Sequence, residues 1–228
     1  FPNNDWNYHN FRDSTIQNYV LTAETLAERG YYVIRMGVKV HAPMNSANPK
    51  VIDYATNGMR SDFMDIYLGA KCAFCISTGT GFDGVPMVFR RPIAYVNMAP
   101  AGYFPSFSSK QLGIFKHYLD ANTNCHLTLL EIFSSNTGFS CHGSDLEIHG
   151  VNLIDNTPDE IRDVAVEMVE RLNNTWQEHP EDKALQQHFL ELFTTGAFSE
   201  SRYGNPLHGK IRARFGAAFL RNNREWLQ

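Results

Sequence analysis

The segment KCAFCISTGTGFDGVPMVFRRPIAYVN, residues 71–97, decides the predicted fold class. A short apolar run, residues 72–76, leads into a polar, glycine-rich turn, residues 77–81, and a second apolar run begins at Pro92. This order predicts a strand, a ligand-binding turn, a short helix and a second strand. Small and hydroxylated residues where a strand ends let backbone N–H groups approach a phosphate closely. Because ligands of open α/β sheets bind at this edge, the turn is the leading candidate site.

The rest of the chain predicts helices that alternate with strands. Helices are predicted at residues 15–29, 62–68, 128–133, 158–172, 180–194 and 210–222. Gly30 is typical of a helix C-terminus, Ser61 of an N-cap, and Thr157 with Pro158 and Glu160 of a capped helix start. Further strands are predicted at residues 31–36 and 51–54, an irregular region at 137–150, and either an ordered loop or a lid over the cleft at 98–109.

The close succession of helix, glycine and strand is typical of a parallel α/β sheet. We therefore predict a Rossmann-like open parallel sheet with helices on both faces over residues 1–175, and a helical C-terminal extension packed on it over residues 176–228. A chain of 228 residues is long enough for such a core. The chain begins at Phe1 rather than Met, and we expect it to be a piece of a longer protein.

Composition excludes two classes of partner. The net charge of −4 and the pI of about 6.1 argue against nucleic-acid binding, which needs a basic face. No apolar stretch approaches the ~18–20 residues of a membrane span, so we predict no transmembrane segment.

Four cysteines are too few for a disulfide scaffold in a chain of this length: Cys72, Cys75, Cys125 and Cys141. We place the first two in a buried strand, where residues three apart point to opposite faces and do not readily chelate one metal. A zinc set completed by Cys125-His126 and Cys141-His142 is the alternative to reduced thiols. Reduced thiols indicate a cytoplasmic protein, with peripheral contact to the inner membrane as an option.

The turn itself has three interpretations. Its letters Gly79-Thr-Gly-Phe-Asp-Gly84 match G-x-G-x-x-G, but an NAD site also needs an acidic residue at the end of the next strand, and that strand ends at Asn97. The dinucleotide fingerprint also belongs to the first βα unit, whereas this turn comes late. The other interpretations are a turn that binds the phosphates of a nucleotide or sugar nucleotide, and a structural turn without ligand.

Three arginine segments are further candidates. Arg60-Ser61-Asp62 combines a helix start with a guanidinium, which suits phosphate, or is a surface arginine beside an ordinary N-cap. Arg35 and Gly37 follow a strand and either line the cleft or, for Arg35, form a structural pair. Arg12-Asp13 is either a catalytic or phosphate-binding pair or a solvated loop. The spacing of His9, His41 and His117 favours neither a metal site nor a triad.

The chain resembles a bacterial group described as glycosyltransferases and linked to surface polysaccharide synthesis. The resemblance is carried by FRDSTIQNYVLTAETLAERGYYVIRMG (11–37), RSDFMDIYLGAKCAFCISTGTGFDGVP (60–86), YFPSF (103–107) and ARFGAAFLRNNREWL (213–227). More remotely, the order of these motifs is similar to the donor-binding half of fucosyltransferase-like enzymes of the two-Rossmann (GT-B) architecture. The resemblance implies a donor pocket lined by Arg60, Ser61, Asp62, Ser77, Thr78, Gly79, Thr80 and Gly81, with Arg35 and Gly37 on the same cleft edge.

The implied reaction transfers a sugar from a nucleotide-diphosphate sugar, GDP being favoured by the similarity, to a glycan or lipid-linked acceptor. Arg12, Arg60 and helix-start N–H groups would stabilise the negative charge on the departing diphosphate. Asp13 and Asp83 are the candidate bases for the acceptor hydroxyl. We expect no obligatory metal, since no D-x-D motif is present, and no cofactor beyond the donor. In such enzymes an N-terminal domain, absent from this sequence, completes the site.

Two other functions fit the same sequence motifs. A sugar-nucleotide epimerase would need carboxylates placed for elimination chemistry and would release an altered nucleotide sugar. A non-catalytic module would bind nucleotide or glycan without turnover.

Overall fold

Strands and helices alternate through most of the computed structural model, which describes residues 7–198 and 208–228. The strands of these residues are β1 (Val33–Ile34), β2 (Val51–Ile52), β3 (Cys75–Ser77), β4 (Ile93–Met98), β5 (Gln111–Phe115), β6 (His117–Asp120), β7 (Val151–Ile154) and β8 (Arg214–Phe215). The α-helices are α1 (Val20–Glu28), α2 (Asp62–Lys71), α3 (Gly84–Val88), α4 (Leu129–Ser134), α5 (Gly143–Ile148), α6 (Pro158–Leu172), α7 (Asp182–Phe198) and α8 (Ala217–Asn222).

The central sheet has the strand order β3-β4-β5-β8, and every neighbouring pair is parallel. The strands β1 and β2 form a separate parallel pair, and β6 with β7 an antiparallel one. All six residues of β4 are buried, as expected for an inner strand with both faces covered. The predicted α/β class with a parallel sheet is therefore confirmed.

Local capping signals placed the starts of α2 and α6 correctly, whereas α1 begins at Val20, five residues after its predicted start. The Ser61 side chain accepts a hydrogen bond from the Met64 backbone N–H at the start of α2. Complete capping boxes open α4 at Thr128 and α6 at Thr157, and α6 ends at Leu172 as predicted. These caps satisfy backbone N–H groups that have no partner within a helix.

An aromatic cluster lies beneath the sheet and draws its members from distant parts of the sequence. Phe104 and Phe115 pack at 5.7 Å between ring centroids, and Phe115 packs on Phe215 at 4.8 Å. The segment after residue 176, predicted as an extension packed on the domain, supplies β8 to the sheet and Phe189, Phe193 and Trp226 to this core. The C-terminal segment is thus an integral part of the central sheet and its core.

Several predicted elements were wrong. Cys72 ends α2 instead of lying in a strand. The region 137–150 holds a 3-10 helix and α5, and residues 210–216 contribute β8 before the short α8 begins. Of the two alternatives for the segment 98–109, the structure matches the ordered loop, because Ala101 and Phe104 are fully buried in it. The strands β5 and β6 were not predicted.

No helix among the described residues is both long enough and apolar enough to cross a membrane.

A buried pair of asparagines joins the ends of three strands. The Asn97 backbone N–H donates to Asn156 Oδ1 at 2.6 Å, and the Asn156 backbone N–H donates to Asn97 Oδ1 at 2.5 Å. Asn156 Nδ2 also donates to the Phe115 carbonyl at 2.7 Å, and neither asparagine is exposed. These bonds hold the carboxyl ends of β4, β5 and β7 together.

We predict that Asn156→Ala lowers the free energy of unfolding by about 3 kcal/mol, because the Asn97 N–H and the Phe115 carbonyl then remain buried without partners. Chemical denaturation measures the loss. Asn152→Ala, at an exposed position of β7, is the matched control. Equal stability of the two variants would contradict the structural role of the pair.

Candidate functional site

The turn at residues 77–81 follows the carboxyl end of β3, as predicted. Ser77 is buried, and its Oγ lies 3.1 Å from Asp83 Oδ2 while accepting a hydrogen bond from the Gly79 backbone N–H at 3.1 Å. Burial raises the pKa of Asp83, and the Ser77 hydrogen bond opposes that shift. Ser77 and Asp83 therefore shape the turn from beneath.

Both the backbone conformation and the packing at residue 79 favour glycine. Its φ of +79° lies in the left-handed region, and a Cβ there would stand 2.6 Å from Met98 Sδ, at the end of β4. A larger residue at this position would have a strained backbone and would displace the Met98 side chain.

Three backbone N–H groups of the turn point to no acceptor among the described residues: Thr78, Thr80 and Gly81. A 3-10 helix, Gly81–Asp83, and then α3 continue from the turn. N–H groups left open in such a concave turn are suited to an anion.

The other wall of the site is the 3-10 helix Asn7–Arg12 and the residues after it. Lys116, at the end of β5, is almost fully buried; its Nζ donates to the Asp13 carbonyl at 2.5 Å and to Asp155 Oδ1 at 2.8 Å. Asp155 Oδ2 in turn accepts from the Thr15 backbone N–H at 3.0 Å. This ion pair fixes the segment around Asp13 over the carboxyl ends of the strands.

A second set of bonds links this segment to the buried asparagines. Tyr19 OH lies 3.0 Å from Ser14 Oγ and accepts a hydrogen bond from Asn97 Nδ2 at 3.0 Å. The second wall is therefore anchored to the same asparagines that join the ends of β4 and β7.

Between the two walls lies a cavity of about 330 Å³, lined by His9, Arg12, Asp13, Ser14, Thr78, Thr80 and Gly81. The structure thus brings the predicted Arg12-Asp13 pair to the predicted turn. Arg12 forms no ion pair among the described residues, and its Nε is buried without a hydrogen-bond partner there. The Arg12 guanidinium carbon stands 5.4 Å from the centre of the Phe11 ring. Asp13 is exposed at the mouth.

His9 lies beside positively charged neighbours in the cavity. Partial burial, Arg12 and then His142 lower the pKa of His9. Tyr8 bridges these histidines, because its ring lies 3.8 Å from that of His9 and 4.8 Å from that of His142. A bound anion would offset the repulsion among these groups.

The other predicted arginines do not line this cavity. Arg35 forms an ion pair with Asp53 at 3.2 Å and donates to the Ala42 carbonyl at 2.6 Å, which matches the structural-pair alternative. Arg60 is held by Asp65 at 2.7 Å and by Asp62 at 3.2 Å. Ser61 is occupied as an N-cap, and a Cβ at Gly37 would stand 2.7 Å from Val40 Cγ1, so both residues have structural roles.

A larger cavity of about 420 Å³ lies at the C-terminal ends of α1 and α6, lined by Arg29, Gly30, Tyr31, Val169 and Asn173. The cation that lines this larger cavity, Arg29, is neutralised by Glu170, which lies 3.3 Å away. We therefore take the smaller cavity, with its free cation, as the candidate site.

Two alternative ligands find little support in the geometry. The position where an NAD site needs a carboxylate is held by Asn97, whose amide is bonded to Asn156 and Tyr19. Among residues 7–198 and 208–228, no three His, Cys, Asp or Glu side chains group so as to hold a metal ion, and all four cysteines are free thiols.

Sequence reasoning missed Lys116, considered His142 only as part of a zinc set, and set His9 aside. No local pattern marks Lys116, whose partners lie 39 and 103 residues away. His9 is only three residues from Arg12, so that proximity was the available signal.

No family model, curated protein or solved structure matches the chain. The resemblance to glycosyltransferases therefore stays a prediction.

We predict that Gly79→Ala lowers the free energy of unfolding by about 2 kcal/mol, because alanine is strained at this φ and meets Met98. Gly84→Ala is the control, since Gly84 has a helical φ of −55° and open space around its Cα. Thermal and chemical unfolding compare the two. A loss no larger than that of the control would show that the turn can rearrange freely.

Proposed function

We propose that this chain is the donor-binding domain of a glycosyltransferase, which transfers a sugar from a nucleotide-diphosphate sugar to a glycan acceptor. The observation that carries the proposal is the cavity in which unpaired Arg12 faces the open N–H groups of Thr78, Thr80 and Gly81. A guanidinium and a set of backbone N–H groups on opposite walls are complementary to a diphosphate. The position at the carboxyl end of a parallel strand is where α/β domains bind such ligands.

The same groups supply the chemistry of transfer. Negative charge builds on the diphosphate as the sugar departs, and donors fixed in advance stabilise that charge most in the transition state. Arg12 is the principal group for this role. Asp13, exposed at the mouth of the cavity, is the candidate base for the acceptor hydroxyl. Asp83 is not, because it lies beneath the turn bonded to Ser77.

The fold supports a GT-B half without requiring it. In that architecture a second Rossmann domain would face the cavity and complete the acceptor site. GDP is the favoured donor nucleotide through the resemblance alone.

The rival functions differ in what the cavity must hold. An epimerase needs carboxylates placed for elimination, and among the described residues the cavity lining contains a single carboxylate, Asp13. A binding module needs the same anion contacts but no base. Product analysis separates these cases: a free nucleotide diphosphate after transfer or hydrolysis, an altered nucleotide sugar, or no turnover.

We predict that Arg12→Ala weakens binding of the preferred nucleoside diphosphate by about 10- to 100-fold, because it removes a charged donor from the phosphate. Calorimetry with GDP, UDP, dTDP, CMP, ADP and NAD first identifies the ligand. Arg162→Ala, a surface arginine paired with Asp159 and Asp163, is the matched control.

A response to NAD alone would replace the proposal with a dehydrogenase-like domain. Equal affinity of Arg12→Ala and the control would remove Arg12 from the site. If Arg60→Ala weakens binding as strongly as Arg12→Ala, the donor pocket extends to the start of α2, as the resemblance implies.

We predict that affinity for the corresponding nucleotide sugar rises as the pH falls from about 8 to 6. In the free protein, partial burial and the nearby Arg12 and His142 lower the pKa of His9, which favours its neutral form. A nearby diphosphate raises that pKa, binding takes up a proton, and lower pH therefore favours the complex. The bridged diphosphate of a nucleotide sugar itself gains no proton in this range.

Calorimetry at several pH values measures this dependence, and His9→Gln should flatten it without abolishing binding. His188→Gln, on the exposed side of α7, is the control variant. An unchanged pH profile in His9→Gln would show that His9 does not sense the ligand.

A further inference from the structure

The outer surface of α2 and α3 exposes large apolar side chains. Phe63 is 74% exposed and Val88 78% exposed, although both belong to helices that pack on the sheet. The other exposed members are Met59, Ile66, Tyr67 and Phe89. We call these six residues the α2–α3 face.

These residues lie on or next to two helices that pack against each other. α2 and α3 pack closely through Gly69, where a Cβ would stand 2.8 Å from Val85 Cγ1. Phe63, Ile66 and Tyr67 are spaced by three and four positions and share one side of α2. The Phe63 and Tyr67 rings stack with centroids 6.0 Å apart. An exposed aromatic cluster of this kind marks an interaction surface.

Four cations border the face where α2 ends and where β4 and β5 begin: Lys71, Arg90, Arg91 and Lys110. Arg91 Nε donates to the Ala70 carbonyl at 2.6 Å, which puts its guanidinium beside Lys71. Lys110 Nζ donates to the Arg90 carbonyl at 3.2 Å. None of the four forms an ion pair with a carboxylate of the described residues.

The acids near the face lie at its other end and are opposed by a cation. Asp62 and Asp65 both contact Arg60, at 3.2 and 2.7 Å. The three side chains together carry one net negative charge, against four positive charges at the other end. The border of the face is therefore strongly positive, in a chain whose net charge is −4.

We infer that the α2–α3 face docks on an anionic lipid bilayer. Aromatic and aliphatic side chains that protrude from a helix enter the boundary between headgroups and acyl chains. Neighbouring lysines and arginines are attracted to the negative surface potential of anionic lipids. A protein partner fits less well, because it would have to match four uncompensated cations with carboxylates of its own, whereas an anionic bilayer supplies negative charge along the whole border.

The surface is separate from the cavity around Arg12. The four cations lie where the central strands begin, whereas the cavity lies where β3 ends. The inference therefore stands independently of the proposed function, and a docked domain would keep the cavity accessible.

The test is co-sedimentation of the chain with vesicles of phosphatidylcholine alone and of phosphatidylcholine with 30% phosphatidylglycerol (about one anionic lipid in three). We expect binding to the anionic vesicles that weakens steeply as salt rises from about 0.05 to 0.5 M, since screening shortens the reach of the cations. Binding to neutral vesicles should be at least tenfold weaker.

Two pairs of variants separate charge from apolar insertion. Lys71→Gln with Lys110→Gln should lower the partition coefficient roughly 25-fold, about fivefold for each charge. Phe63→Ser with Val88→Ser should lower it about tenfold or more at every salt concentration. The matched controls are Lys39→Gln with Lys183→Gln, and Ile148→Ser, all at exposed positions away from the face.

Circular dichroism checks that each variant remains folded, which is expected because all the side chains changed are exposed. Equal partitioning of the face variants and their controls, or no sedimentation with anionic vesicles, would overturn the inference. Light scattering tests whether a second copy of the chain occupies the face instead. If the chain is a dimer that dissociates in the Phe63→Ser, Val88→Ser variant, and it does not bind lipid, the face belongs to a dimer interface.

Discussion

The reciprocal pairing of Asn97 and Asn156 is the constraint on which the candidate site depends. Each side chain accepts the backbone N–H of the other, so neither can shift without leaving buried polar groups unsatisfied. Asn156 also stands directly before the capping residue of α6, and Asn97 is the last residue but one of β4, a strand with every residue buried. One neutral pair therefore fixes the start of α6 relative to the ends of β4 and β5, at the edge where the cavity forms. Because amides do not titrate, this framework is insensitive to pH.

The charged groups that support the site lie next to this neutral pair. Lys116 is buried beside the amide pair, and Asp155 neutralises it, while its second bond reaches the Asp13 carbonyl. A buried ion pair contributes little net stability but is costly to break, so it fixes geometry more than it adds free energy. Here it fixes the segment that carries Arg12. The orientation of the cavity's cation thus depends on a lysine that does not line the cavity.

Local chemistry made part of the fold predictable. The capping boxes at Thr128 and Thr157, the N-cap at Ser61 and the turn after β3 are each specified within a few residues. The strand β5 was missed because Gly113 and Lys116 interrupt the apolar run around it. Both have tertiary reasons: a Cβ at Gly113 would stand 2.5 Å from Phe104 Cε2, and Lys116 meets partners far away in sequence. Neither reason is visible in a single sequence.

The same distinction separates the three predicted arginines. Arg60 is followed within five residues by Asp65, and Arg35 is opposed by Asp53, which follows the paired strand β2, so each charge is satisfied inside the chain. Arg12 has no ion-pair partner among the described residues, although its Nε is removed from water. Partial desolvation of an unpaired guanidinium is unfavourable, and a fold retains it where another interaction offsets the cost. An anion held between Arg12 and the open N–H groups of the turn is the interaction that the cavity can supply. Arg12, which has no ion-pair partner among the described residues, therefore identifies the site more strongly than the motif letters of the turn do.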